Sequence, residues 1–278
     1  MNMSCSRCGT IFDDAKAQCP SCRKWHVKAT ADIYDDGADD GTMTLDNVRS
    51  SEVDRIHVGE YDYCFGGGVV KTSVTIIGGT PGAGKSTMLL TLANRFAVET
   101  QKETLYIGAE QAVDEIKMLA DRLKLSHAKL IRVLPAMSGV SDLPGILQRR
   151  KPGAIILDSL QGLVGEDDAS SVYMCKLLKQ YAVQLLAPAI IICHVTKSND
   201  IAGLMTLQHA VDSLMTLFPD QDSGLRSLQV LKNRFGPAYI NTFFDMTAAG
   251  LVYVPEDRIE DAPAGKPPEN DEDDEDDD

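Results

Sequence analysis

The residues best suited to chemistry begin in the run GGTPGAGKST, residues 78–87, where Gly79-x4-Gly84-Lys85-Ser86 falls between a β-branched run and an amphipathic one. A strand, a glycine-rich turn and a helix start, in that order, make a phosphate cradle. Successive backbone N–H groups can face one point, and the helix start adds its positive dipole end. Gly79, Thr80, Pro81, Gly82, Ala83, Gly84, Lys85, Ser86 and Thr87 are therefore the candidate nucleotide-binding residues, with ATP and Mg²⁺ as ligands. Lys85 offers a cation to the β and γ phosphates, Ser86 a hydroxyl to Mg²⁺, and Thr87 lies close to the same phosphates. A glycine-rich turn that binds nothing would have no need of Lys-Ser at those positions.

Three further side chains stand where apolar runs end. AIILDS ends in Asp158, and a carboxylate at the carboxyl edge of a parallel sheet overlooks the phosphate crevice. Asp158 is the candidate Mg²⁺ carboxylate; the plainer alternative is a strand-end cap. LYIGAE ends in Glu110, the candidate base that orients water, or else a solvated glutamate attracted to a helix dipole. His194, in IIICHVTK, could sense the γ phosphate or be a histidine that is simply hydrogen-bonded. Near the end of the chain VLKNRFGP carries Lys232 and Arg234 two residues apart before Gly236-Pro237 stops the ladder. Alternate strand residues share a face, so both cations seek something anionic, unless they are a solvated strand end.

At the front, Cys5-x2-Cys8 and Cys19-x2-Cys22 form two knuckles, each able to aim two thiolates at one point. Four thiolates complete a closed tetrahedral Zn²⁺ shell, structural rather than catalytic, and a module this small needs such a staple to fold. Trp25 follows as a packing residue, while Cys64, Cys175 and Cys193 sit in apolar surroundings as core thiols.

These residues must be positioned by the rest of the 278-residue chain, which is long enough for one large domain and a small module. Residues 1–28 read as a zinc-ribbon module and residues 29–52 as an acidic flexible linker. Across residues 53–254, β-branched runs alternate with amphipathic stretches, the pattern of an α/β fold with a mostly parallel sheet. Its last four runs, DSLMTLF, RSLQVLKNRF, YINTFFDM and GLVYV, lack helical interludes and read as an antiparallel C-terminal extension.

Residues 255–278 read as a disordered acidic tail. From Glu256 onward it holds 13 acidic and 2 basic residues, a net of −11 out of −14, so the remainder carries only −3 and is compatible with nucleic acid. The tail either solubilises the chain or docks on partners. No run reaches the ~18 apolar residues of a membrane helix and no signal peptide opens the chain, so the expected location is cytoplasmic and without a membrane.

Taken together, the motifs resemble the RadA/Sms family of bacterial recombination ATPases, built on the RecA fold. The likeness runs through the knuckles with Lys24-Trp25, FGGGVV, GGTPGAGKST, Glu110, ILDS, HVTKSNDIAG, LQHAVDS and LKNRFGP. It implies a RecA-like P-loop ATPase core behind a zinc ribbon, acting on single-stranded or branched DNA by strand movement, branch migration or a helicase-like activity. It also implies self-association into a ring, a hexamer in this family, with Lys232 and Arg234 reaching the neighbouring subunit's nucleotide as piston and finger.

The family's DNA loops correspond to QGLVGEDDASS and KSNDIAGLMTLQH, with Lys197 as a phosphate contact; recombinase or replication proteins are the partners expected for the zinc module or the tail. Two departures stand out. Gly203-Leu204-Met205 replaces the family's Gly-Pro-Arg, and the acidic tail stands where a Lon-like domain is expected. Such a shortened form would suit a virus or mobile element in a bacterial cell. The alternatives kept open are a nucleotide-gated single-strand annealing or recombinase-loading factor, a regulatory ATPase acting on protein, and a phage replicative helicase-like ATPase.

Overall fold

The computed structural model describes residues 2–4, 11–13, 54–136, 140, 142–194, 206–220 and 223–259. The chain divides into two compact units, Met1–Val53 and Asp54–Asp278. In the first, strand β1 (Asn2–Ser4) pairs antiparallel with β2 (Ile11–Asp13). The four knuckle cysteines, Trp25 and the acidic linker lie outside the described residues, as does the tail from residue 260.

The second unit opens with β3 (Arg55–Ile56), a short helix α1 (Asp62–Phe65) and β4 (Val69–Val70), which pairs antiparallel with β3. Then strand and helix alternate: β5 (Val74–Gly79), α2 (Lys85–Thr100), β6 (Thr104–Gly108), α3 (Val113–Arg122), β7 (Ile131–Pro135), α4 (Leu143–Arg150) and β8 (Ala154–Asp158). Helices α5 (Leu160–Val164) and α6 (Asp168–Leu185) lead to β9 (Ala189–His194). Four strands close the unit: β10 (Ser213–Pro219), β11 (Arg226–Asn233), β12 (Ile240–Thr247) and β13 (Gly250–Val254).

Nine of these strands form one sheet in the order β13-β12-β11-β10-β5-β9-β8-β6-β7. The six from β10 to β7 are parallel and the last three are antiparallel. The final four runs therefore do not all extend the sheet antiparallel, because β10 lies parallel to β5, with Ser213 opposite Thr75. Alternating residues serve both faces, which is why these strands are apolar throughout. Ile77, Ile156, Ile190 and Ile192 pack with α2, whereas Ile76, Ile155, Leu157 and Ile191 pack with α4, α5 and α6.

Helix starts are set by side-chain caps. Asp142, Ser159 and Asp167 accept from the N–H groups of Gly145, Gly162 and Ser170 at the starts of α4, α5 and α6. QGLVGEDDASS is thus mostly helical. Asp167 is committed to a cap, and the bond from Ser170 holds its carboxyl below the usual carboxylate range. No helix among the described residues is long and apolar enough to cross a membrane.

Candidate nucleotide site

The carboxyl ends of β5, β6, β8 and β9 meet at one edge of the sheet, where crevices for ligands form in open α/β folds. A cleft of about 500 Å³ opens there, bounded by Pro81, Gly82, Gly84, Lys85, Ser86, Thr87, Glu110, Asp158 and His194, all expected from sequence. Gly84 has φ +103 and forms the entry to α2, so the loop turns from strand to helix without strain.

The Lys85 ammonium is buried, at 6% exposure, and donates to the carbonyls of Gly79 (2.9 Å) and Thr80 (2.8 Å). Burial holds it below the usual lysine range, while the charges of Asp158 and Glu110 pull it back up. A buried cation beside a glycine-rich loop suits a phosphate chain. A buried carboxylate at Asp158 with the nearby Ser86 hydroxyl suits a hard divalent cation such as Mg²⁺.

Asp158 is 4% exposed and accepts a 2.6 Å bond from the Tyr106 hydroxyl on the neighbouring strand β6. Burial, reinforced by the charge and hydrogen bond of Asp158, pushes the Tyr106 hydroxyl well above its usual range, so it stays a donor. Replacing it as Tyr106→Phe is expected to cost about 1.5–3 kcal/mol, because a buried charged acceptor loses a partner. Urea unfolding measures this, and a change below about 0.5 kcal/mol, the scatter of ordinary surface substitutions, would refute it.

Glu110 is held on both oxygens. Oε1 accepts from the Ser159 hydroxyl, and Oε2 lies 2.8 Å from His194 Nε2, which carries the proton for this bond. Each carboxylate oxygen keeps a lone pair, so a water in the cleft could still be oriented by Glu110. Gly162 permits the arrangement, since a Cβ there would come within 2.7 Å of Glu110 Cγ. Gln161 fixes the end of β9, donating to Cys193 Sγ (3.0 Å) and to the His194 carbonyl (3.3 Å) while accepting from the His194 N–H (3.1 Å).

Tyr106, Ser159 and Gln161 were not singled out in the sequence. Neither was Arg122, at the end of α3, which lines the cleft and donates to the Thr87 hydroxyl at 3.3 Å. Leu119 and Met246 add an apolar wall. The only sequence signal for these was position: Ser159 and Gln161 directly follow Asp158, and Arg122 closes an amphipathic helix that follows Glu110.

Lys232 and Arg234 lie elsewhere. Because β11 runs antiparallel to β10, Asn233 stands opposite Ser213 and hence level with Thr75, near the beginning of β5. The phosphate loop leaves β5 at the other end, about 13 Å away at ~3.3 Å per residue. The two cations are thus at the opposite edge of the sheet from their own chain's cleft.

Lys232 donates to the carbonyls of Gln208 and Val211 (2.8 Å for the latter). Arg234, 55% exposed, pairs with Asp212 at 3.4 Å. Asp212 is itself buried and also accepts from Lys179 (2.7 Å) and from the Val74 N–H (2.9 Å) at the start of β5. Burial, then the Arg234 charge, keeps Lys232 below the usual lysine range. A bulge at Leu231 places Lys232 opposite Leu214, on the face away from Val230 and Leu228.

Lys197 and the departure at Gly203-Leu204-Met205 lie outside the described residues. Among the described residues, no group of three or more histidines, cysteines, aspartates or glutamates could hold a metal. Cys64, Cys175 and Cys193 are free and buried, and burial pushes the first two thiols up to about 11 and about 12.

The sheet order and the loop between β5 and α2 define a P-loop domain of the RecA-like class. A solved structure with this fold is the KaiC-like protein PH0186 of Pyrococcus horikoshii, matched with TM-score 0.61 at 14% identity over 73% of this chain and 100% of that one. The chain belongs to the RadA family. It is 31% identical over 269 residues to the DNA repair protein RadA of Chlamydia pneumoniae, and 32% over 270 and 33% over 272 residues to the RadA proteins of Pseudomonas aeruginosa and Haemophilus influenzae. Each match covers 90% of this chain and 58% of the relative, so the chain spans less than two thirds of their length. No family model matches.

Proposed function

We propose that this chain hydrolyses ATP and uses the cycle to act on single-stranded or branched DNA in recombination and repair. The observation that carries the reading is Glu110, held between Ser159 and His194 over the cleft that also presents Lys85 and Asp158. In this reading Gly79 to Thr87 cradle the phosphates, Lys85 neutralises them, and Glu110 orients the attacking water. His194, through its bond to Glu110, reports the state of the γ phosphate to β9. Ser86 and Asp158 would hold Mg²⁺, which when bound neutralises charge on the phosphates.

The position of Lys232 and Arg234 supports catalysis across a subunit boundary: they cannot serve their own cleft, and Arg234 is exposed enough to serve another chain's. Self-association into a ring follows from that role. Zn²⁺ at Cys5, Cys8, Cys19 and Cys22 and a phosphate contact by Lys197 belong to the same reading, supported by their spacing and by the RadA relatives. DNA repair is named in those relatives.

A second reading, in which nucleotide gates a single-strand binding factor with little turnover, is favoured by the acidic run Glu166-Asp167-Asp168, which opposes DNA beside α5. The deciding experiment is ATP turnover with and without single-stranded DNA, across protein concentration and salt. The expected result is stimulation that rises cooperatively with protein and falls with salt. Tight ATP binding with slow, DNA-indifferent turnover would replace the motor with the gated binder.

A further inference from the structure

Arg55 is a half-buried arginine in the two-residue strand β3, far in sequence from every residue of the cleft. Its guanidinium spans two separate segments of chain. Nη1 donates to the carbonyls of Phe65 (3.2 Å) and Gly68 (2.9 Å), the two ends of the turn FGGG, and Nη2 donates to the carbonyl of Phe235 (2.6 Å). Phe235 is the residue next to Arg234. Three carbonyls fixed by one planar fork is an arrangement that a lysine ammonium, a single point of charge, reproduces poorly.

The two segments that Arg55 joins also touch through their backbones. A Cβ on Gly66 would come within 2.7 Å of the Gly236 Cα, and a Cβ on Gly236 within 2.7 Å of the Gly66 Cα. Gly66 has φ +74, so that position is doubly restricted. On the far side of the turn, the Arg234 N–H donates to the Asp212 carbonyl at 3.1 Å and the Phe235 N–H to Asn233 Oδ1 at 3.0 Å. The loop bearing Arg234 is thus gripped from both sides, by Asp212 on one and by Arg55 with Gly66 on the other.

We infer that Arg55 is a positioning residue for Arg234: it sets where the finger points without touching nucleotide itself. This rests on the reading that Arg234 acts on a neighbouring subunit's nucleotide. Misplacing a reacting group by about 1 Å can cost about a hundredfold in rate, so loosening the grip should appear in kcat rather than in ATP binding.

The test is steady-state ATP turnover by the full chain as wild type, Arg55→Ala, Arg55→Lys, Arg234→Ala and the Arg55→Ala/Arg234→Ala double variant. Expected are a kcat about tenfold or more below wild type for Arg55→Ala, with KM for ATP within about twofold. Arg55→Lys should recover only part of the loss. Added guanidinium ion should partly restore Arg55→Ala and leave Arg234→Ala unchanged. The double variant should be no slower than Arg234→Ala, because both losses act through one group.

A normal kcat in Arg55→Ala beside an inactive Arg234→Ala overturns the inference and leaves the trans-acting finger standing. Multiplying losses in the double variant overturn it too, since Arg55 would then act independently of Arg234. A normal kcat in Arg234→Ala removes the finger and the inference together. Should Arg55→Ala fail to fold, Arg55→Lys, alone and combined with Arg234→Ala, carries the same comparison.

Discussion

Arg234→Ala is expected to fold, to bind ATP with ordinary affinity, and to lose about 10³-fold or more of its turnover, the range found when an arginine finger is removed. The fold survives because Asp212 keeps Lys179 at 2.7 Å and the Val74 N–H at 2.9 Å, so no buried charge is abandoned. Binding survives because Arg234 and the phosphate loop are at opposite edges of the sheet.

Complementation gives the sharper form of the result. Mixed with Lys85→Ala, which spoils the cleft and spares the finger, Arg234→Ala should regain turnover, because a mixed assembly contains some interfaces with both parts intact. Two inactive variants that stay inactive on mixing would show that the site is not shared between subunits.

Glu110→Gln is expected to lower turnover by about 10²–10⁴-fold, the usual contribution of a positioned general base, with MgATP still bound. Glutamine keeps the shape and can still accept from Ser159 and His194, so the contacts at 2.8 Å and at the Ser159 hydroxyl need not collapse. What is lost is the negative charge facing water. Single-turnover hydrolysis alongside nucleotide binding separates the two. Turnover within about tenfold of wild type would move the base function to another group of the cleft.

Much of the nucleotide site is legible from sequence because it is local. Gly79 to Thr87 lie in one strand-turn-helix unit, and Asp158, Glu110 and His194 each end an apolar run on a strand of a parallel sheet. Such runs can only end at the same edge. Tyr106 is different. It faces Ile156 across the β6–β8 ladder, and its hydroxyl reaches two residues further to Asp158, a contact that depends on which strands are neighbours.

The direction of β10 was hidden for the same reason. An apolar strand reads alike whether it pairs parallel or antiparallel, and no helical interlude marks the crossover. The Arg55 grip joins residues separated by up to 180 positions, and nothing near Arg55 announces it.

The bulge at Leu231 makes β11 a segment whose length is constrained as well as its composition. Without the extra residue, strict alternation would turn Lys232 onto the face of Leu228 and Val230, toward the apolar layer beneath α2. An ammonium buried there would have no carbonyls of Gln208 and Val211 to meet it. Substitutions that keep the register are therefore tolerable along this strand, while an insertion or deletion of one residue before Lys232 inverts the placement of everything that follows it.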